Sequence, residues 1–207
     1  MIAQALNHLS AVDPVMKRLI AEHGPCTLEH QPRRTPFQSL VLAVAHQQLH
    51  ATAANNILAR FKKLFPGRRF PKPEDLAKVS DAQLRACGFS FAKIKALRDI
   101  AAKTLDGTIP SPRQIAKLND EEIIKRLTEA RGVGRWTVEM LLIFQLGRPD
   151  VLPVDDFGVR NGFRIAYNKR AMPKPKALLK FGRRWRPHAT VAAWYLWGAA
   201  DAAKKKK

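Results

Sequence analysis

The 207 residues carry 37 lysines and arginines against 17 aspartates and glutamates, a formal charge of +20, which calls for a polyanionic partner, nucleic acid above all. The length suits one large core or two small cooperating ones, and no run of about eighteen apolar residues is present to cross a membrane. Two cysteines, Cys26 and Cys87, are too few for a four-cysteine zinc or iron–sulfur site and read as reduced thiols in a cytoplasmic protein.

Helical periodicity dominates from end to end and nothing alternates as a strand, so the chain is expected to be all-α. The opening MIAQALNHLSAVDPVMKRL gives helices over 2–9 and 13–22, separated at Asp13-Pro14. It has no charged segment followed by a solid apolar one, so no secretory signal is expected. Helices follow over 36–48, 51–64, 73–78, 81–86 and 91–104, with the basic, Pro/Gly-rich stretch 65–72 as a connector. Further helices are expected over 112–117, 120–130, 136–146, 156–166, 175–183 and 188–201. Ser80-Asp81-Ala82-Gln83 and Asn119-Asp120-Glu121-Glu122 carry helix-start signals, and Pro36, Pro73, Pro112 and Pro175 sit at first-turn positions. The four terminal lysines belong to a basic tail, 202–207. They supply only four charges, so the basic excess belongs to the body of the chain.

One stretch concentrates the chemistry. Residues 121–130 place Ile123, Ile124 and Leu127 on one helical face. Gly132 and Gly134 then permit a tight turn, and a second apolar helix begins at Trp136. A helix, a Gly-x-Gly hairpin and a helix N-terminus present backbone N–H groups outward, an arrangement suited to a phosphate oxygen. After the loop 147–153, Asp155 and Asp156 stand where a carboxylate can cap a helix and still project from it.

The block Gly132-Val133-Gly134-Arg135-Trp136-Thr137, followed by Pro153-Val154-Asp155-Asp156-Phe157-Gly158-Val159, resembles the helix-hairpin-helix DNA glycosylases that carry a Gly/Pro-rich loop and a catalytic aspartate. It is most similar to their alkylpurine branch, the 3-methyladenine DNA glycosylase II type. Pro36-Phe37 through Gln47-Gln48-Leu49-His50, Gly88-Phe89-Ser90-Phe91-Ala92-Lys93, and Trp185-Arg186-Pro187 through Trp197 extend the resemblance, which covers roughly residues 9 to 198. The four-cysteine cluster of the endonuclease III branch is absent.

The resemblance implies a compact helical glycosylase with its active-site cleft between subdomain 36–130 and a second subdomain made of 1–35 plus 131–201. It implies double-stranded DNA with damaged bases as the partner of a monomer, and no cofactor beyond a monovalent cation at the hairpin carbonyls. Metal-ligating side chains are not expected. The activity would be nucleoid-associated in a bacterium and nuclear in a eukaryote.

For the site, a gap-free match from Trp136 to Phe157 assigns the catalytic carboxylate to Asp156, whereas the Pro-Val-Asp pattern assigns it to Asp155. Asp156 is favoured, with the other aspartate as a cap or supporting acceptor. The implied base pocket comprises Trp136, Trp197, Phe157 and Phe37, with Trp194 and Tyr195 facing core or surface. The implied DNA contacts are Gly132, Gly134, Arg135 and Thr137 at the hairpin, Gln47, Gln48, Leu49 and His50 at a minor-groove turn, Phe89 as a wedge, and Lys93 as a phosphate contact or an ordinary surface lysine. Family members that cleave the sugar–phosphate chain place a lysine where Trp136 stands, so a purely hydrolytic enzyme is expected. His188-Ala189 departs from the family's aromatic–arginine pair. The competing readings are a glycosylase for oxidised or mismatched bases and a DNA-binding module without catalysis.

Overall fold

A computed structural model describes residues 2–205. It contains thirteen α-helices and one 3₁₀ turn: α1 (Ile2–Val12), α2 (Pro14–His23), α3 (Pro36–His46), α4 (Ala51–Lys63), α5 (Pro73–Leu76), α6 (Asp81–Ala86), α7 (Phe91–Leu105), α8 (Pro112–Ile115), α9 (Asp120–Leu127), α10 (Arg135–Phe144), α11 (Phe157–Ala166), α12 (Pro175–Gly182), the 3₁₀ turn (Arg183–Trp185) and α13 (Ala189–Lys205). No described residue lies in a strand.

Local chemistry explains most of these boundaries. Ser80, Ser111 and Asn119 each accept a hydrogen bond from the backbone three residues on, while the side chains of Gln83, Gln114 and Glu122 accept from the cap's own N–H. Proline occupies the first turn of α2, α3, α5, α8 and α12, where its missing donor costs nothing. Helix α3 stops at His46, short of the expected 48, because Gln48 turns into the left-handed region at φ 57°. Helix α9 stops at Leu127, not 130, and the Thr128 hydroxyl donates back to the Ile124 carbonyl. The expected basic tail is a continuation of α13 as far as Lys205, since alanines favour the helix and Lys204 pairs with Asp201. Lys206 and Lys207 lie outside the described residues.

The chain divides into two compact units, residues 1–31 with 142–207 and residues 32–141, the division falling inside α10. The hairpin was expected to join the second part of the chain, but it belongs to the contiguous unit. Three contacts within that unit account for the difference: Asp99 of α7 accepts from Arg131 N at 2.7 Å, Gln47 donates to Gly132 O at 2.9 Å, and Arg135 pairs with Glu121 at 2.5 Å.

The contiguous unit packs α3 and α5 against α7. Its core includes Leu40, Val41, Val44, Leu84, Ile94, Leu97 and Ile100, with Phe61 at 5.2 Å from Phe65 and 5.5 Å from Phe89, both edge-to-face.

The discontinuous unit is organised by α11 against α13, with α1, α2 and the 3₁₀ turn completing it. Leu9, Met16, Leu19, Val159, Phe163, Leu178, Trp185, Tyr195 and Leu196 form its core. Gly162 is what lets the two helices meet, because a methyl group there would collide with the Leu196 carbonyl oxygen. Asp13, 2 % exposed, ties the unit together. As N-cap of α2 it accepts from Val15 N and Met16 N, and its second oxygen accepts from Tyr167 Oη at 2.5 Å and Trp185 Nε1 at 2.9 Å. Burial, with the Asp13 carboxylate beside it, pushes the Tyr167 phenol far above the ordinary range.

Gly162→Ala is expected to destabilise the protein by at least about 3 kcal/mol, since rigid backbone cannot yield as a side chain can, and to lower Tm by roughly 6 °C or more. Gly198→Ala meets only His23 at 3.5 Å and should be neutral or gain roughly 0.5–1 kcal/mol from helix propensity. Thermal melts of the two variants check both, and equal losses would remove the special role of position 162.

Candidate active site

Asp156 is the N-cap of α11: its Oδ1 accepts from Val159 N at 2.8 Å and from the Trp197 indole Nε1 at 2.8 Å. It is 9 % exposed, whereas Asp155 faces solvent. The aspartate without a catalytic role was expected to be a cap or a supporting acceptor. The structure instead unites the cap and the favoured catalytic position in Asp156, because the turn closed by Asp156 N to Pro153 O aims its side chain back at the helix. Gly158 keeps room for the pair, as a Cβ there would sit 2.8 Å from Trp197 Cδ1 and 3.1 Å from Asp156 Oδ1.

Trp197 is therefore more than a ring. One edge holds the carboxylate, and its face stacks on Phe144 at 5.7 Å and 25°. A cavity of about 370 Å³ opens beside it, with Phe144, Trp194 and Trp197 as aromatic walls, Leu28 as apolar lining, and Glu29 and Asp201 as its acidic groups. The family resemblance pointed to Trp197 but not to Leu28, Glu29, Phe144 or Asp201, since only the fold brings residues 28, 144 and 197 together, and Trp194, expected at core or surface, joins the cavity wall. Phe157 is 65 % exposed in this unit, while Tyr195 is fully buried and donates to Gly24 O at 2.8 Å.

The His188-Ala189 departure is accommodated locally. Asp150, in the loop leading to Pro153, accepts from Arg186 Nε at 2.7 Å and from Ala189 N at 3.3 Å. Thr190 donates to Arg148 O at 2.7 Å and accepts from Val151 N at 2.9 Å. A guanidinium thus reaches this loop from position 186, and the start of α13 is fastened to the segment that carries Asp156. His188 packs on His8, ring centroids 5.4 Å apart.

In the contiguous unit, the hairpin turns at Gly132, whose φ is 77°, and Val133 N donates to Ala130 O at 3.0 Å. Gly134 precedes α10, and a Cβ there would meet nothing within 4 Å. The glycine with a conformational requirement is thus Gly132, not Gly134. Arg135 is held by Glu121 and Glu139. Thr137 is 5 % exposed, which removes it from direct DNA contact, while Trp136 is 45 % exposed.

Three further expectations change here. Phe37 is 3 % exposed, packed edge-on to Phe70, and belongs to the core and not to a base pocket. Phe89 is fully buried against Phe61, so it cannot wedge into a duplex. The exposed aromatic of that loop is Phe91, at 64 %, with the Arg85 guanidinium 4.6 Å from its ring centre. Phe89 precedes the cap Ser90 and turns inward, whereas Phe91 begins α7 on its outer side. Lys93 is not an ordinary surface lysine, for its Nζ donates to Ala45 O and Gln47 O, each at 2.9 Å. Burial pulls its ammonium below the usual lysine value. Gln47 is half-buried, and Gln48, Leu49 and His50 are exposed.

Residues 41–187 match the model of the HhH-GPD superfamily of base excision DNA repair proteins. The chain is 42 % identical to DNA-3-methyladenine glycosylase 1 of Schizosaccharomyces pombe over 100 % of its own length and 91 % of that protein. It superposes on the structure of the 3-methyladenine DNA glycosylase of that yeast in complex with abasic DNA with a TM-score of 0.83 and 43 % identity, covering 94 % and 95 % of the two chains. A DNA-3-methyladenine glycosidase from Bacillus halodurans superposes with a TM-score of 0.88 at 35 % identity, covering 98 % and 91 %.

Because Asp156 and not Asp155 carries the cap, Asp156→Ala should cost about 1 kcal/mol of stability, within a range of roughly 0.5–2. Asp155→Ala should stay within about 0.5 kcal/mol of the parent. Urea unfolding midpoints distinguish them, and a larger loss at position 155 would contradict the assignment.

Proposed function

We infer the chemistry from one premise: this chain belongs to the HhH-GPD superfamily of base excision DNA repair proteins. It is a DNA glycosylase that hydrolyses the N-glycosidic bond of alkylated purines in duplex DNA, with 3-methyladenine as the representative base. The observation that carries this reading is Asp156, whose Oδ1 accepts from the indole of Trp197, and Trp197 is itself a wall of an aromatic cavity lined by Glu29 and Asp201.

Alkylation at N3 or N7 makes a purine cationic, so the base leaves without needing a strong acid. Extrusion from the stack brings it to the protein, where aromatic faces and carboxylates favour a cation. As the bond to C1′ lengthens, positive charge develops on the sugar. The Asp156 carboxylate, already oriented by Val159 N and Trp197 Nε1, stabilises that charge without reorganising, orients the water that attacks C1′ and takes up the proton that water gives up. The neutral base and an abasic sugar result. Trp136 offers no amine to form an imine with the sugar, so the enzyme stops at hydrolysis. It works as a monomer, and the basic excess is satisfied by phosphates.

The hairpin supplies phosphate binding through the exposed N–H groups around Gly132 and Gly134. The Ala130 and Gly132 carbonyls each accept one protein donor and keep a second lone pair, a donor type that suits a monovalent cation. Such an ion would steady the turn without taking part in the hydrolysis. Relatives with enzymatic names across the whole chain speak against a module without catalysis. Similarity to 8-oxoguanine glycosylases, at 20 % and 19 % identity, is similarity of fold alone.

Release of 3-methyladenine from methylated DNA, followed by chromatography, tests the reading. Asp156→Asn keeps size and cap but removes the charge, and should lower the single-turnover rate roughly a hundredfold or more, with Asp155→Asn near the parent rate. Borohydride should trap no protein on DNA. No base release at enzyme excess, or a dead Asp155→Asn beside an active Asp156→Asn, would sink the mechanism.

Gly132→Val strains a positive φ and crowds Ala96, whose Cβ lies 3.3 Å from the added carbon, so affinity should fall for every DNA sequence alike. Weakening confined to one sequence, measured by fluorescence anisotropy on unrelated duplexes, would contradict phosphate binding at the hairpin.

A further inference from the structure

We propose that Lys93 and Gln47 are positioning residues for base extrusion: together they lock the exposed turn 48–50 to the phosphate-binding hairpin. The inference rests on the glycosylase reading and deepens it.

The turn between α3 and α4 needs external support. Gln48 is a non-glycine residue at φ 57°, a conformation that persists only where its surroundings hold it. Its neighbours supply the restraint. The Lys93 ammonium, near the start of α7, donates to Ala45 O, a carbonyl at the end of α3, and to Gln47 O, which precedes Gln48. The Gln47 amide donates in the other direction, to Gly132 O of the hairpin.

Helix α7 closes the circuit from its other end. Asp99 accepts from Arg131 N at 2.7 Å, and Ala96 leaves just enough room for Gly132. Lys93, Ala96 and Asp99 recur at three-residue spacing, so they lie along one side of the helix. This side of α7 holds the turn at Lys93 and the hairpin at Ala96 and Asp99, fixing the distance between them. Leu49, 40 % exposed, and His50 can then enter the groove only in step with the phosphate held at the hairpin. Two of the three ammonium donors of Lys93 are committed to carbonyls of the turn, which distinguishes the clamp from a lysine that meets phosphate alone.

Lys93→Met and Gln47→Leu, with Lys93→Arg as the conservative rescue, test the clamp. Three measurements are made on each: single-turnover base release from methylated DNA, 2-aminopurine fluorescence beside a tetrahydrofuran abasic analogue, and the salt dependence of binding to undamaged duplex. Release should fall at least tenfold, and the fluorescence change that reports local unstacking should be lost. The slope of log affinity against log salt should match the parent, and Lys93→Arg should recover much of both lost signals. A slope reduced by about one phosphate contact in Lys93→Met with normal fluorescence would overturn the proposal, as would release within twofold of the parent. Should Lys93→Met fail to fold by circular dichroism, Gln47→Leu carries the test. A parent that releases no base would sink the glycosylase reading, while the fluorescence and salt measurements would still decide the clamp.

Discussion

The close approach of α11 and α13 is the constraint on which the discontinuous unit depends. Gly162 has no side chain to hold the helices apart, and the Leu196 backbone occupies the vacated space. Contact between backbones fixes rotation and register together, because neither helix can slide without a carbonyl striking a Cα. Trp197 follows Leu196 directly, and Asp156 caps the helix that carries Gly162. The 2.8 Å hydrogen bond between them is therefore set six residues away from the carboxylate. The same register delivers Tyr195 to Gly24 O, so one glycine orders core, N-terminal segment and site.

Two aspartates use one device toward different ends. Asp13 and Asp156 both cap helices, and both accept an indole N–H, from Trp185 and Trp197 respectively. At Asp13 each oxygen is occupied by protein donors in a closed core, so the carboxylate holds α2, α11 and the 3₁₀ turn together. At Asp156 the indole belongs to the wall of an open cavity. The two carboxylates thus share a hydrogen-bonding pattern and differ in what their indole partners face, a closed core at Trp185 and a cavity at Trp197.

Much of this was legible in the sequence because its causes are local. Reciprocal caps at Ser80 and Asn119, first-turn prolines and the paired glycines act within four residues, so the helices and hairpin emerge from the sequence nearly in place. The carboxylate pair, the tryptophan at 197 and the basic excess were legible as chemistry. What escaped depends on residues far apart in the chain. Asp156 and not Asp155 caps α11 because of the Pro153 turn and the indole of residue 197. Lys93 looks like a surface residue until α3 arrives beside it. Phe37 and Phe89 carry the right chemistry for a DNA contact but face Phe70 and Phe61. Long-range packing decides which aromatic is core, and Phe91 shows how a shift of two residues exchanges the answers.

The division of the chain inside α10 has a consequence for biosynthesis. Residues 32–141 form a continuous segment and can condense as soon as they clear the ribosome, since domains fold as units during synthesis. The unit that contains Asp156 cannot. Its first 31 residues are made early, yet Asp13 finds Tyr167 and Trp185 only across 154 and 172 positions of chain. Throughout most of translation α1 and α2 lack the surface that buries Leu9 and Met16. The unit that holds Asp156 is thus assembled last, by the return of the C-terminal helices to a waiting N-terminus, and nascent chains pass through a stage with a finished hairpin and no Asp156–Trp197 pair.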